Sequence, residues 1–230
     1  MERLFRETVS ENMWKVLQKL IDDKKLNDFN LVGGTALSLL IGHRLSIDID
    51  LFTGRDFDAQ QMLRQLKDNH EADIGSYSKN AVFTFIDDIK IDVIAHKYPL
   101  IKPVETIEGV RLVSIEDIGA MKLHAIFQSG SRLKDFFDMY FLLEHRPLNV
   151  YLKAYEEKYN GNPKMAAYGL LYYDNILSTQ TVDMLSGKEN DWNQMKLRLK
   201  KAVENQHIKF EPLARKERIS PPIKRKGRRW

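Results

Sequence analysis

Leu31-Val32-Gly33-Gly34-Thr35-Ala36-Leu37-Ser38-Leu39-Leu40, followed closely by Ser46-Ile47-Asp48-Ile49-Asp50-Leu51-Phe52, decides the fold of this 230-residue chain. An apolar run ends in two glycines, a helix-like segment follows near residues 35–41, and then two aspartates alternate with isoleucine and leucine. Alternation has period two in a strand, so Asp48 and Asp50 project from one face and Ile47, Ile49 and Leu51 from the other. At a rise of about 3.3 Å per residue the two carboxylates start about 6.6 Å apart at Cα. Their flexible ends can converge on one or two divalent cations, and Mg²⁺ takes oxygen ligands, commonly one or two carboxylates plus substrate phosphates. The glycines supply the complementary half, because residues without a Cβ let backbone N–H groups approach a phosphate closely. A helix opening just after them adds its positive end. The competing reading is an ordinary βαβ unit with solvent-facing aspartates. Asp is depleted in strands, so two in this apolar context need a reason.

A glycine pair before a helix, then D-x-D on a strand, resembles the active-site signature of the polymerase-β-like nucleotidyltransferases. More narrowly, Gly33-Gly34-Thr35-Ala36-Leu37 with His43-Arg44-Leu45-Ser46-Ile47-Asp48-Ile49-Asp50-Leu51 resembles the AbiEii/AbiGii nucleotidyltransferase toxins. Position 34 is Gly where the wider superfamily often has Ser, and Thr35 is the hydroxyl available in its place.

Composition narrows the class. Hydrophobic residues make up 43% and charged residues 30%, ordinary for a chain that buries a core. There are no cysteines, which excludes disulfides and thiolate metal sites. No segment approaches about 18 consecutive apolar residues and the charged N-terminus lacks a signal-peptide run, so a cytoplasmic protein without membrane contact is expected. The net charge of +4 is unevenly placed: residues 215–230 carry eight Lys and Arg against Glu217, a net +7, leaving −3 for the remainder. Pro221-Pro222 and the repelling cations predict a mobile basic tail.

Along the chain, residues 8–25 read as a helix with Thr8 and Glu11 spaced as a capping box. A strand is expected over 29–32, and a helix capped by Asp58 through about residue 67. Residues 81–86 and 89–94 flank Asp87-Asp88 as a hairpin, and 105–113 form another around Gly109. Helices follow over 114–129, 133–143, 150–159, 163–176 and 191–204. This is an α+β chain: a small mixed-sheet nucleotidyltransferase core with flanking helices (1–105), a helical domain completing the site (106–214) and the tail (215–230).

Lys122-Leu123-His124-Ala125-Ile126-Phe127, then Arg132, Lys134-Asp135 and Asp138, resembles the second motif of the same toxins. Lys122 is a compact charge suited to phosphate, and Arg132 can grip one bidentately. Asp135 and Asp138 are three apart and share a helix face, where they can orient Lys122 or Arg132, bond a ribose, or position an acceptor hydroxyl. The alternative for this block alone is a salt-bridged helical hairpin. His43 and His124 receive no role, although the place of His43 beside Arg44 makes a substrate contact conceivable, and the aromatic 168–173 stretch reads as helix packing.

The resemblance implies transfer of a nucleoside monophosphate from an NTP to an acceptor, with Asp48, Asp50, Lys122 and Asp135 catalytic. Metal ligands would be Asp48 and Asp50, with Asp92 as the third carboxylate if its strand lies beside the D-x-D strand with matching face. Gly33, Gly34, Thr35, Arg44, Ser46, Arg132 and Asp138 would bind the nucleotide. Two Mg²⁺ ions are implied, with an RNA end such as tRNA as acceptor and a cognate antitoxin as partner. The same chemistry on a protein or small-molecule acceptor, and a silent nucleotide-binding module, are the other readings.

Overall fold

The computed structural model describes residues 3–73, 75–185 and 191–212. The basic tail therefore lies outside the described residues. The local grammar of the chain is mostly where side-chain chemistry puts it. α1 (Glu11–Asp22) buries Met13, Val16, Leu17, Leu20 and Ile21 along one stripe. Its N-cap is Ser10, whose hydroxyl accepts from Met13 N at 3.0 Å. The capping box expected at Thr8 and Glu11 does not form. Thr8 belongs to the preceding 3₁₀ turn and donates its hydroxyl to Phe5 O, so the helix starts three residues later.

β1 (Asn30–Leu31) leads into α2 (Gly33–Ile41), which opens on the glycine pair itself. β2 (Asp48–Thr53) follows, with Ile49 and Leu51 fully buried and Asp48, Asp50 and Phe52 on the opposite, partly open face. Ile47, expected on the buried face, precedes the strand and is 76% exposed. α3 (Ala59–His70) is capped by Asp58, which accepts from Gln61 N at 2.9 Å.

β3 (Ser76–Ser78), β4 (Ala81–Ile86) and β5 (Ile89–Ala95) form an antiparallel run. The β4–β5 turn is Asp87-Asp88 with φ of 51° and 63°, the left-handed pair that a two-residue hairpin needs. The β6 (Glu105–Ile107)–β7 (Val110–Leu112) hairpin repeats the device, with φ of 50° at Glu108 and 85° at Gly109.

The strands make one seven-stranded mixed sheet in the order β3-β4-β5-β2-β1-β7-β6. β7 runs parallel to β1, so the second hairpin extends the sheet and the change from strands to helices falls after Leu112. α4 (Ile115–Gln128), α5 (Leu133–Leu142) and α6 (Leu148–Tyr159) pack together beyond it, with α4 also touching α2. α7 (Pro163–Gly169) stops at Gly169, seven residues short of the expected end, and α8 (Trp192–Glu204) is capped by Asp191. One continuous apolar cluster runs from the sheet through these helices. No helix among the described residues is long and apolar enough to cross a membrane.

Candidate active site

β2 and β5 are parallel neighbours in a register that sets Asp48 beside Lys90, Asp50 beside Asp92 and Phe52 beside Ile94. Side chains directly opposite in a ladder share a face, so the three aspartates stand on one surface of the sheet. All three line a pocket of about 350 Å³. Burial raises the pKa of Asp50, and the charge of Asp92 raises it further, against the pull of Lys122. Asp92 Oδ1 is buried with no hydrogen-bond partner, while Oδ2 takes Lys90 Nζ at 2.5 Å. Lys134 Nζ stands 3.5 Å from Asp48 Oδ2.

Gly33 and Gly34 line the same pocket at the start of α2, where the N–H groups of a first helical turn have no intrahelical partner. Each glycine also makes room for a side chain from the second half of the motif. Gly33 sits at φ 69°, and a Cβ there would lie 2.5 Å from Asp50 Oδ2. A Cβ on Gly34 would fall on Arg44 Nη2. A serine at position 34 would meet the same guanidinium, which explains glycine there in steric terms. Thr35 does not offer its hydroxyl freely: it donates to Asp48 O and lies 2.8 Å from Ser46 Oγ, tying α2 to the start of β2.

Behind the pocket lies a buried ionic cluster centred on Asp138, which is 0% exposed. Arg44 donates from Nε at 2.7 Å and from Nη2 at 3.1 Å, Lys122 Nζ is at 2.6 Å, and His43 Nε2 is at 2.7 Å. Asp135 receives the same Lys122 at 2.7 Å and Arg132 Nε at 2.8 Å. Burial alone would raise the Asp138 pKa, but Arg44 and Lys122 hold it well below the ordinary carboxylate range. Burial would likewise lower the Lys122 pKa, and Asp135 and Asp138 keep it raised. Both groups are therefore charged at neutral pH.

Of the residues expected at a nucleotide, Gly33, Gly34, Thr35, Arg44, Ser46, Lys122 and Arg132 line the pocket. Asp135 and Asp138 do not. Asp138, expected at the nucleotide, has its oxygens bonded to Arg44, Lys122 and His43 behind the pocket wall. His43, conceivable as a substrate contact, is fully buried in the same cluster. Lys90 has no place in the site read from the sequence, and Lys134 stands there only as a member of the second motif, without a role of its own. The two-residue step Lys90–Asp92 and the adjacency of Lys134 to Asp135 were the signals available.

Residues 180–185 brace this arrangement. Leu45 N donates to Asp183 O at 2.7 Å, Leu185 N donates to His43 O at 3.2 Å, and Arg44 forms a β-bridge with Met184. Gln180 accepts from Leu133 N at 2.8 Å and donates to Ser131 O at 2.8 Å, fixing the turn that carries Arg132.

Residues 15–219 match the family model for the nucleotidyl transferase AbiEii toxin of type IV toxin–antitoxin systems. An uncharacterized Aquifex aeolicus protein, aq_aa25, is 31% identical over 198 residues, covering 83% of this chain and 96% of that one. Two Helicobacter pylori crystal structures share the fold at 21% identity. One is a protein named as a candidate nucleotidyltransferase, with a TM-score of 0.56 and coverage of 86% of this chain and 96% of its own. The other, JHP933, has a TM-score of 0.55 and coverage of 86% and 93%. With the family model spanning most of its length and both motifs gathered on one pocket, this chain belongs to the AbiEii nucleotidyltransferase toxin family.

Proposed function

We propose that the pocket transfers a nucleoside monophosphate from an NTP to an RNA end such as that of a tRNA, in a Mg²⁺-dependent reaction that releases pyrophosphate. The observation that carries this reading is the register of β2 against β5, which aligns Asp50 with Asp92 opposite the N-terminus of α2. Asp48, Asp50 and Asp92 would hold the cations. Their fit rests on the unpartnered buried Oδ1 of Asp92 and on the crowding at Asp50, whose pKa is raised by burial and by the neighbouring charge of Asp92. Among the described residues no group of three or more His, Asp or Glu side chains is placed to hold a metal ion unaided. Substrate phosphates commonly complete the shell of Mg²⁺. When bound, such ions supply Lewis-acid activation of an acceptor hydroxyl and of the leaving oxygen.

The chain's own groups divide the remaining work. The N–H groups at Gly33, Gly34 and Thr35 would cradle the terminal phosphates of the NTP. Lys122 and Arg132 would neutralise charge that builds on the departing pyrophosphate, and Arg44 would hold the phosphate side of the pocket positive. Asp135 and Asp138 act as positioning residues, because they hold Lys122, Arg44 and Arg132 at fixed points without touching the nucleotide. We further propose a cytoplasmic toxin whose activity is opposed by a cognate antitoxin.

Incubation with each labelled NTP, Mg²⁺, and total RNA or total protein tests the assignment. Label on RNA is expected. Label on protein alone would move the acceptor to a side chain, and label on neither with a bound NTP would leave nucleotide binding without transfer.

A further inference from the structure

Past the carboxylates the pocket changes character. On β2 the face that carries Asp48 and Asp50 continues to Phe52, and on β5 the face of Lys90 and Asp92 continues to Ile94. His96, just beyond the strand, extends the ladder through its N–H to Thr53 O at 2.8 Å. α4 adds His124 and α6 adds Tyr159, whose rings are stacked with centroids 4.0 Å apart and planes 6° from parallel. The Tyr159 hydroxyl hydrogen-bonds His96 Nε2 at 3.1 Å. Tyr98 closes the cluster, 4.7 Å from His96 and 4.6 Å from Tyr159 between centroids.

Two properties distinguish this half from the phosphate half. It is uncharged: burial, with Lys158 nearby, pushes the His96 pKa down to about 4, and burial lowers that of His124. Lys158 itself is tied to Asp117 at 2.8 Å and to Pro99 O. It also holds an unmet hydrogen bond, since His124 Nδ1 is buried without a partner. Ring faces combined with an unpaired neutral nitrogen suit a planar heteroaromatic ligand. A purely apolar ring would leave that nitrogen unpaired, and an anion would find no cation to meet it.

We propose that Phe52, Ile94, His96, His124 and Tyr159 form a nucleobase-stacking subsite, holding a base whose phosphate lies at the carboxylate end of the pocket. This rests on the nucleotide reading given above. The spacing agrees with it: Phe52 is two residues beyond Asp50, about 6.6 Å along the strand, and His96 is four beyond Asp92, about 13 Å. A ribose bridges that interval. The base can belong to the incoming NTP or to the terminal nucleotide of the acceptor, and binding measurements separate the two.

Titrations in Mg²⁺ would use each of the four NTPs, inorganic tripolyphosphate, and a short single-stranded RNA. The proteins are the wild type, His124→Ala, His124→Phe and, from the opposite wall, Phe52→Ala, with melting temperatures measured alongside. Removing a stacking ring costs roughly 5- to 150-fold in affinity. If the NTP supplies the base, His124→Ala and Phe52→Ala weaken NTP binding by about that factor. Tripolyphosphate binding then stays unchanged, and His124→Phe recovers most of the loss. If the acceptor supplies it, NTP and tripolyphosphate binding hold while RNA affinity falls. A His124→Ala protein that melts early leaves Phe52→Ala and His124→Phe to decide. Unchanged affinity for both NTP and RNA in the folded variants overturns the subsite alone. A wild type that binds neither NTP nor tripolyphosphate overturns the nucleotide reading of the whole pocket, and the subsite with it.

Discussion

Asp50 and Asp92 are register partners across the parallel β2–β5 pair, although forty-two positions separate them in the chain. The charge of Asp92, after burial, is what raises the Asp50 pKa. In the metal-free protein Asp50 therefore takes up its proton at a higher pH than an isolated carboxylate would. Asp92→Asn removes the repulsion, so Asp50 should titrate at a lower pH in the metal-free variant than in the metal-free wild type. Transfer at neutral pH should fall by roughly 10²–10³-fold, as when one electrostatic stabiliser is lost. Carboxyl NMR titration of Asp50 in the metal-free protein checks the pKa independently. An Asp50 that titrates unchanged in the variant would separate the two carboxylates.

Lys122 lines the pocket and also ties Asp135 to Asp138. Lys122→Met leaves Asp135 and Asp138 sharing Arg132, Arg44 and His43, and breaking a buried pair costs about 3–5 kcal/mol. Turnover per folded molecule should fall by roughly 10²–10³-fold as well. Melting and rate measured together decide the matter: early melting with normal turnover returns the block to a salt-bridged hairpin.

Gly34→Ala places a methyl on Arg44 Nη2. The guanidinium is pinned by two bonds to Asp138, so overpacking should cost about 1–3 kcal/mol. In an Arg44→Ala background the same substitution should cost far less, since the obstruction is gone. A double-mutant cycle by chemical denaturation reads the difference. Equal costs in both backgrounds would show that Gly34 is constrained by something other than Arg44.

Deleting residues 219–230 removes five Lys and Arg clustered between 224 and 229. If these hold an RNA backbone, each phosphate contact contributes a log–log salt slope of about −0.7 to −0.9, and about four contacts give a slope near −3. Truncation should flatten that slope and raise the acceptor KM without changing NTP affinity. An unaltered salt dependence would make the tail incidental to RNA binding.

Local chemistry was legible where neighbours in the chain decide it. Asp58 and Ser114 cap their helices because a side-chain oxygen meets an N–H three residues on, at 2.9 and 3.0 Å. Asp87-Asp88 turns the hairpin by its own backbone. The same reasoning misplaced the start of α1, because Thr8 and Ser10 both suit a cap and the fold spends the Thr8 hydroxyl on Phe5 O.

The sequence by itself determined the alternation of β2, which puts Asp48 and Asp50 on one face, a helix following the glycine pair, the two hairpins and the mixed α+β class. These follow from side-chain period, turn conformation and capping, all properties of a few consecutive residues. Only the tertiary structure decided that β5 lies beside β2 in the register that aligns Asp92 with Asp50. It also decided that Asp138 is buried under Arg44 and Lys122, and that residues 183–185 brace 43–45. Those outcomes depend on which distant segments bury each other's apolar faces. A motif records its own spacing, but burial determines whether a carboxylate meets a ligand or a guanidinium.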